Sequence, residues 1–234
     1  SVRAKVKGTK VKIRLGASSG EWKAMVADEA ARTTFAKNIK TVLEKNKLDG
    51  IDLDFEWAEN EKEYKDYSLA ILKMREVLGD KYLFSVSLHP VCYKISKEAI
   101  EAVDFISLQC YGPSPVRFPI EKYCSDIQMV LEYGIPKEKL VAGVPFYGVT
   151  KDNSKKTEAY FNFVQNGLVT SPAQNEVIYQ GDTYVFDGQD NIRIKTRYAK
   201  EQKLKGMMSW DLATDLPLSD SRSLLKTMTE ELRE

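Results

Sequence analysis

The sequence "LDGIDLDFEW", residues 48–57, alternates apolar and acidic side chains in the manner of a β-strand. Successive side chains of a strand point to opposite faces, which separates Ile51, Leu53 and Phe55 from Asp52, Asp54 and Glu56. The apolar face predicts packing against helices. The acidic face then points to the inner side of a parallel sheet, where unpaired charge is costly. Because of that cost, a row of acids in this position predicts a functional site.

The acidic row is typical of acid–base catalysis. Crowded carboxyl groups raise one another's pKa values, so that one of them can stay protonated near neutral pH and donate its proton. Inward neighbours lie about 6–7 Å apart, so Asp54 can hydrogen-bond the Glu56 side chain, and Asp52 can share a proton with Asp54. Exposure to solvent is disfavoured because parallel sheets are covered on both faces. A calcium loop is disfavoured because Leu53 and Phe55 are bulky and the tight-turn glycine is absent, so no metal ligand is assigned.

The rest of the chain alternates strand and helix patterns. Apolar runs predict strands at 11–17, 50–56, 82–89, 105–111, 140–147 and 206–212. Helical spacing predicts helices at 28–46, 61–79, 96–102, 120–133, 191–203 and 220–232, the second of which stops at Gly79. In the long segment before the fifth of these helices, "EVIYQGDTYVFD" (176–187) predicts a hairpin that turns at Gly181-Asp182.

Strands that are each followed by a helix predict a parallel sheet and an α/β fold. An open doubly wound sheet and a TIM (β/α)₈ barrel both fit this alternation. The barrel is favoured because no Gly-rich phosphate turn is present and because polar residues accumulate at the C-terminal ends of several strands. A barrel has eight such units, so an incomplete barrel is expected. We interpret residues 1–234 as a single domain with a short insertion at 148–190, between the fifth predicted strand and its helix.

The composition narrows the possible partners. The chain has 35 Lys and Arg against 34 Asp and Glu, with 43% hydrophobic residues, so its near-zero net charge predicts no nucleic acid partner. No apolar run approaches the roughly 20 residues that span a bilayer, so no membrane partner is expected. The stretch "SVRAKVKGTK" (1–10) also lacks the apolar core of a signal peptide.

Cysteine and histidine are scarce. Cys92, Cys110 and Cys124 are too few and too scattered for a disulfide framework or a paired zinc site, so buried free thiols are expected. His89 is the single histidine of the sequence, and a Ser-His-Asp triad would have to use it alone. We therefore interpret His89 as structural.

The segment "DGIDLDFE", residues 49–56, resembles the D-G-x-D-x-D-x-E signature of glycoside hydrolase family 18, the chitinases and related endo-β-N-acetylglucosaminidases. Other segments are similar to further strands of that family's barrel in the same order: "KVKIRLGASSGEW" (10–22) to the third, "FISLQCYGP" (105–113) to the sixth, "LVAGVPFYG" (140–148) to the seventh and "LKGMMSWDL" (204–212) to the eighth. The resemblance covers essentially the whole chain. It implies that the chain holds strands 3 to 8 of the barrel and lacks the first two units.

The resemblance implies a catalytic role for each matching residue. Glu56 matches the general acid that protonates the glycosidic oxygen. In this family the 2-acetamido oxygen of the substrate attacks the anomeric carbon in place of an enzyme nucleophile. Asp54 would orient the acetamide and stabilise its developing positive charge, and Asp52 would share a proton with Asp54. Tyr111 matches the tyrosine that hydrogen-bonds the acetamide carbonyl.

The resemblance also implies residues that contact the sugar. Trp210 matches the tryptophan beneath the distorted N-acetylglucosamine, where an aromatic face complements C–H groups. Gln109 is expected at the same sugar, and Tyr147 is a further candidate. Strand alternation agrees, since it directs Ser107, Gln109 and Tyr111 inward if Ile106, Leu108 and Cys110 pack against helices.

Some positions depart from the family pattern. Gly112 replaces an Asp or Asn of many members and removes a polar group from the sugar site, while Phe55 and Trp57 replace tryptophan and tyrosine. Lys12 and Arg14 take inward positions where the family tends to have small or apolar residues. We predict that Arg14 neutralises Asp52 across neighbouring strands, because arginine suits buried pairing with carboxylates. Asp49 lies outside the inward register and is expected to anchor the start of its strand.

Together these features predict a retaining hydrolase of β-1,4-linked N-acetylglucosamine that acts on chitin or chitooligosaccharides without a cofactor. Its partner would be a polysaccharide or glycan that contains N-acetylglucosamine. An endo-β-N-acetylglucosaminidase on N-glycans, a sugar-binding relative without catalysis and an inactive truncated fragment stay open as alternatives. The presence of Glu56 favours the enzyme, because lectins of the family usually lose that position. The resemblance implies secretion or cell-surface display, and the sequence leaves the oligomeric state open.

Overall fold

The computed structural model describes residues 2–18, 21–112, 118–152 and 156–234. Outside the described residues lie Ser19 and Gly20 of "KVKIRLGASSGEW", Pro113 of "FISLQCYGP" and residues 153–155 of the expected insertion. The chain divides into two compact units, residues 1–106 and residues 107–234.

The first unit alternates strands and helices, as the sequence predicts. Its elements are α1 (Val2–Lys5), β1 (Arg14–Ser18), α2 (Trp22–Ala27), α3 (Glu29–Asn46), β2 (Gly50–Asp54), α4 (Glu61–Leu78), a 3₁₀ turn (Gly79–Lys81), β3 (Leu83–Leu88) and α5 (Lys97–Ala102). β1 pairs in parallel with β2, and β2 with β3, in a register that places Asp52 between Gly16 and Ser85. β4 (Phe105–Leu108) begins beside β3 and runs into the second unit.

Local signals in the sequence set the ends of the long helices. The side chain of Asp28 caps the first turn of α3, and that of Asn60 caps the first turn of α4. Lys47 ends α3 in the left-handed conformation, and Gly79 follows α4 with a φ of 61° that favours glycine. These caps explain why the predicted helices 28–46 and 61–79 match the observed ones closely.

The glycine of the acidic motif has a packing role. A Cβ at Gly50 would lie 2.0 Å from the carbonyl oxygen of Leu83, closer than any non-bonded contact allows. Only glycine therefore permits β2 to approach β3 at this point. The strand is held at its start as well, because the Asp49 carboxylate accepts a hydrogen bond from the backbone N–H of Ile13 at 2.7 Å.

The second unit combines the remaining parallel strands with an antiparallel insertion. Its elements are α6 (Ile120–Tyr133), β5 (Leu140–Pro145), β6 (Tyr147–Thr150), β7 (Thr157–Ala159), α7 (Tyr160–Gln165), β8 (Glu176–Tyr179), β9 (Asp182–Val185), α8 (Gln189–Glu201), β10 (Gly206–Trp210), a 3₁₀ turn (Leu212–Thr214) and α9 (Leu224–Arg233). β5 lies between the end of β4 and β10, and it pairs with β10 in parallel. The insertion forms an antiparallel sheet in the order β7-β6-β9-β8.

Several boundaries differ from the predicted ones. β1 begins at Arg14, because the N–H of Ile13 is taken by the Asp49 side chain and pairing with β2 starts at Arg14. The hairpin between β8 and β9 turns at Gln180 and Gly181, one residue earlier than predicted, and both of these residues have positive φ. α2 and α7, of six residues each, were not predicted from the sequence. Among the described residues, no helix has the length and apolar character that crossing a membrane requires.

Candidate active site

The three acids predicted to be catalytic lie at the C-terminal end of β2. Asp52 and Asp54 are half-buried and Glu56 is exposed, whereas the alternate apolar side chains are buried. The predicted alternation of faces is therefore confirmed. The expected burial of the whole acidic face is not found at Glu56, because the strand ends at Asp54 and Glu56 lies beyond the hydrogen-bonded ladder.

Asp52 is the centre of a polar network between strands. The guanidinium Nη1 of Arg14 lies 3.3 Å from Oδ1 of Asp52, which confirms the predicted ion pair. The hydroxyl of Ser85 accepts a hydrogen bond from Arg14 and donates one to the same Oδ1. Ser87 donates to Oδ2 at 2.7 Å. Because both carboxylate oxygens of Asp52 accept hydrogen bonds, the side chain is fixed in one orientation.

The Arg14 guanidinium also packs on the Phe105 ring. Its guanidinium carbon lies 4.6 Å from the centre of the Phe105 ring, a cation–π distance. The Arg14 side chain is 29% exposed and the Asp52 side chain is 17% exposed. The pair is thus only partly shielded from solvent.

The backbone of Glu56 is held from outside the strand. The indole Nε1 of Trp22 donates a hydrogen bond to the carbonyl oxygen of Glu56 at 3.0 Å. The next residue, Trp57, is half-buried with its ring 5.2 Å from that of His89. Among the described residues no atom accepts a hydrogen bond from the buried Nε1 of Trp57. His89 is buried, and its Nδ1 accepts a hydrogen bond from the N–H of Val91 at 3.3 Å, which agrees with a structural role.

In the second unit, Tyr111 and Gln109 are joined just past the end of β4. The hydroxyl of Tyr111 donates to Oε1 of Gln109 at 3.3 Å and lies 3.8 Å from Sδ of Met208. Tyr111 is 6% exposed and Gln109 is 9% exposed. The structure therefore brings together two of the residues that the sequence assigns to one sugar.

A glycine makes room for the tyrosine. A Cβ at Gly143 would lie 2.6 Å from the carbonyl oxygen of Leu108, 2.9 Å from Cε1 of Tyr111 and 2.9 Å from Cε of Met208. Gly143 is on β5, directly opposite Met208 on β10. The absence of a side chain at this position lets the Tyr111 ring lie against the sheet.

Tyr147 forms an aromatic cluster with Tyr111 and Phe118. Its ring meets the Tyr111 ring edge to face at a centroid distance of 6.3 Å, and the Phe118 ring at 6.1 Å. Tyr147 is half-buried at the start of β6 and packs against the buried residues Tyr111, Phe118 and Val149. Edge-to-face pairs at these distances are favourable, so the rings hold one another in place.

Trp210 is the last residue of β10 and is 57% exposed. Met208 and Trp210 lie two residues apart on that strand, so they share one face. Met208 contacts Tyr111, which places Trp210 on the same side of β10 as Tyr111. An exposed indole on that side can offer its face to a sugar ring.

A buried ion pair lies behind the aromatic cluster. Nζ of Lys195 is 2.5 Å from Oδ2 of Asp187 and donates to the carbonyl oxygen of Phe118 at 2.8 Å. The two charged side chains are 1% and 0% exposed. Burial raises the pKa of the Asp187 carboxyl, and the neighbouring ammonium of Lys195 opposes that effect. Lys195 therefore fixes the backbone of Phe118, whose ring packs on Tyr147.

The cysteines are free thiols, as expected from their number and spacing. Cys92 and Cys110 are buried, whereas Cys124 is half-buried. Burial raises the pKa of the Cys110 thiol to about 12, with a smaller contribution from the carboxylate of Asp126. Within the part of the chain that the structure describes, no group of three or more His, Cys, Asp or Glu side chains could hold a metal ion.

Sequence reasoning missed three residues of this region. Ser85 and Ser87 alternate on β3 and could have been found from the inward parity of "YLFSVSLH" (82–89). Trp22 gives no such signal, because its contact joins an indole to a backbone carbonyl 34 residues away.

Comparison with known proteins agrees with the resemblance. The profile of the family "Glycosyl hydrolases family 18" matches residues 1–215. The chain is similar to Probable chitinase 2 of Drosophila melanogaster, with 23% identity in an alignment that covers 88% of this chain and 56% of that protein. The chain spans about half the length of two of these curated relatives, 56% of that protein and 42% of Chitinase A1 of Niallia circulans.

Solved structures show the same fold. A chitinase from Bacteroides thetaiotaomicron matches with a TM-score of 0.87 at 21% identity, covering 98% of this chain and 79% of that one. A class V chitinase mutant from Nicotiana tobaccum, in complex with NAG4, matches with a TM-score of 0.81 at 17% identity, covering 98% and 82%. The fold is therefore that of a (β/α)₈ barrel, of which the described residues supply the six parallel strands β1 to β5 and β10.

Proposed function

Because the chain belongs to glycosyl hydrolases family 18, we propose that it is a retaining glycoside hydrolase that cleaves β-1,4-linked N-acetylglucosamine in chitin oligosaccharides. The observation that carries the proposal is the geometry at the end of β2. Asp52 and Asp54 share one face of the strand, and Glu56 follows in the same alternation with an exposed side chain. An acid that protonates a glycosidic oxygen must be reachable by the substrate, and Glu56 meets that condition.

In the first step, the 2-acetamido oxygen of the substrate forms a bond to the anomeric carbon as the glycosidic C–O bond breaks. The leaving oxygen takes the proton of Glu56, and the sugar becomes an oxazolinium ion. Water then adds to the anomeric carbon as the bond from that carbon to the acetamide oxygen breaks, which regenerates the 2-acetamido group. The water gives a proton to Glu56, which restores the acid, and the product keeps the original configuration. No carboxylate of the chain acts as nucleophile, which is the known exception to the two-carboxylate scheme.

The half-buried acids prepare this chemistry. Asp54 orients the acetamide and offsets the positive charge that develops on it, because an opposite charge nearby stabilises such a group. Asp52 keeps its orientation through Arg14, Ser85 and Ser87, so the face of β2 next to Asp54 is fixed before the substrate binds. Catalysis by positioning depends on such fixed groups.

The residues proposed to bind the sugar lie in the second unit. The Tyr111 hydroxyl, held beside Gln109, would donate to the acetamide carbonyl, and the exposed face of Trp210 would stack beneath the sugar. The substrate class is supported by the names of the relatives, which are chitinases, and by the chitinase of Nicotiana tobaccum that was solved in complex with NAG4. We propose a chitooligosaccharide as the ligand for these reasons.

The test compares wild type with Glu56→Gln in the complete chain that the gene encodes, on chitin oligomers and on a high-mannose glycopeptide. Glu56→Gln keeps the shape of the side chain but removes the proton donor, so activity should fall about 100- to 10,000-fold. Glu61→Gln is the matched control, because Glu61 is an exposed acid in the first turn of α4 and has no part in the proposed chemistry. That control should retain wild-type activity.

The products distinguish the alternatives. Cleavage of chitin oligomers with release of the β-anomer, detected by proton NMR, supports the proposed reaction. Cleavage of the glycopeptide alone would move the assignment to an N-glycan endoglycosidase. Binding of oligomers without cleavage by wild type would overturn the hydrolase and leave a sugar-binding protein.

A further inference from the structure

Trp22 contacts the backbone of Glu56. It is the first residue of α2, the residue is 1% exposed, and its indole N–H donates to the Glu56 carbonyl oxygen at 3.0 Å. β2 ends at Asp54, so Glu56 lies beyond the ladder that fixes the strand before it. A hydrogen bond from another element is therefore important for the position of the Glu56 peptide.

The indole of Trp22 is itself fixed by aromatic neighbours. It stacks on the Phe55 ring with a centroid distance of 5.4 Å and an angle of 6° between the planes. The Tyr67 ring meets Trp22 at 5.5 Å and Phe55 at 5.3 Å. The stack defines the plane of the indole, and the plane defines the direction of the N–H bond. The donor is thus aimed at Glu56 by packing.

The residue after Trp22 holds the chain on the far side of Glu56. Nζ of Lys23 lies 2.9 Å from a carboxylate oxygen of Glu59 and 3.0 Å from one of Glu63. Glu63 also accepts a hydrogen bond from the N–H of Glu59 at 2.8 Å. The first two residues of α2 therefore contact the segment that follows β2 at two places: Trp22 at Glu56 and Lys23 at Glu59.

We propose that Trp22 is a positioning residue for Glu56, an inference that rests on the proposed role of Glu56 as general acid. Trp22 does not touch the substrate. It sets the peptide of Glu56, and the peptide sets where the carboxyl group begins. Small displacements of a catalytic group reduce turnover strongly, so the hydrogen bond should contribute to kcat and leave ground-state sugar binding unchanged.

The experiment measures kcat and KM on chitin oligomers for Trp22→Phe in the complete chain. Phenylalanine keeps a ring for the stack on Phe55 but lacks the N–H. We expect kcat to fall about tenfold, the scale of one hydrogen bond, with KM changed less than about twofold. If Trp22→Phe fails to fold, incorporation of β-(3-benzothienyl)alanine at position 22 replaces the N–H by sulfur in a ring of nearly the same shape, and kcat should fall by the same factor.

Tyr67→Phe is the matched control. The Tyr67 hydroxyl donates to the carbonyl oxygen of Leu53 at 3.5 Å, so this change removes another aromatic donor to β2 from the same cluster. Urea unfolding should show similar small losses of stability for both variants, and kcat should fall only for Trp22→Phe. Unchanged kcat in the position-22 variants, an equal loss in Tyr67→Phe, or a loss confined to KM would overturn the inference. If wild type and Glu56→Gln have equal activity, the proposed function fails instead, and the two failures are separate.

Discussion

Arg14–Asp52 in the first unit and Lys195–Asp187 in the second are ion pairs in different surroundings. In the first unit, Arg14 and Asp52 are 29% and 17% exposed, and two serine hydroxyls complete the contacts of the carboxylate. In the second unit, Lys195 and Asp187 are 1% and 0% exposed, and the ammonium bonds a backbone carbonyl as well. The first pair lies beside predicted catalytic acids, and the second lies behind an aromatic cluster.

The difference follows from what each unit is proposed to do. Acids that act on a substrate must stay reachable, and in the first unit Asp52 is held by hydrogen bonds while all three acids keep some exposure to solvent. Rings that bind a sugar need fixed positions, and a sealed ion pair that holds Phe118 can provide them. All three acids proposed for catalysis lie in the first unit, and the residues proposed to contact the sugar lie in the second.

Removal of the buried ammonium should have the largest effect on stability. Lys195→Met leaves the charge of Asp187 buried without its partner, and breaking a buried pair in this way costs about 3–5 kcal/mol. Arg14→Met is the matched change in the first unit and should cost about 1 kcal/mol, because that pair is partly exposed. Urea unfolding measures both values. Equal losses would remove the distinction between the two pairs.

Gly143→Ala should have the next largest effect. The new Cβ would meet the backbone of Leu108 and the ring of Tyr111, and forcing a methyl into such a site costs about 1–3 kcal/mol. Because Tyr111 must shift, KM for chitin oligomers should rise as well. Gly16→Ala is the control, since nothing lies within 4 Å of a Cβ at that position on β1. A stable Gly143→Ala variant with unchanged KM would contradict the proposed place of Tyr111.

The sequence predicted the features that depend on a periodic pattern of side chains or on a residue that ends a helix. The alternation in "GIDLDFE" (50–56) predicted both faces of β2, and the stop signal at Gly79 predicted where α4 ends. The partner of Asp52 was also predictable, because inward parity on β1 left Arg14 beside it in a parallel sheet. Parity and capping act over a few residues or between paired strands, so a single sequence contains them.

Contacts without a period were not predicted. The hydrogen bond from Trp22 to Glu56 depends on the packing of a six-residue helix, and no spacing in the sequence encodes it. The exposure of Glu56 was also missed, because it depends on where the ladder of β2 stops. Lys195 on α8 pairs with Asp187, which lies just before that helix, and both side chains are buried. The sequence does not reveal that burial. Such contacts follow from tertiary packing alone.

The smallest expected effect is the order in which the thiols react. Burial raises the pKa of Cys110 to about 12, so at pH 8 only about one part in ten thousand is the reactive thiolate. Burial also raises the pKa of Cys92, whose sulfur accepts a hydrogen bond from the N–H of Ala58 at 3.1 Å. Cys124 is half-buried, and its pKa is raised chiefly by desolvation.

Iodoacetamide should therefore label Cys124 first in the native protein, with a rate that rises as pH increases from 7 to 9 because more thiolate forms. Cys92 and Cys110, one in each unit, should react only after urea unfolds the chain. Mass spectrometry of the labelled peptides measures the order, and Cys124→Ser should abolish native labelling. Early reaction of Cys110 would mean that the end of β4 opens to solvent, and the fixed position proposed for the neighbouring Tyr111 would then be wrong.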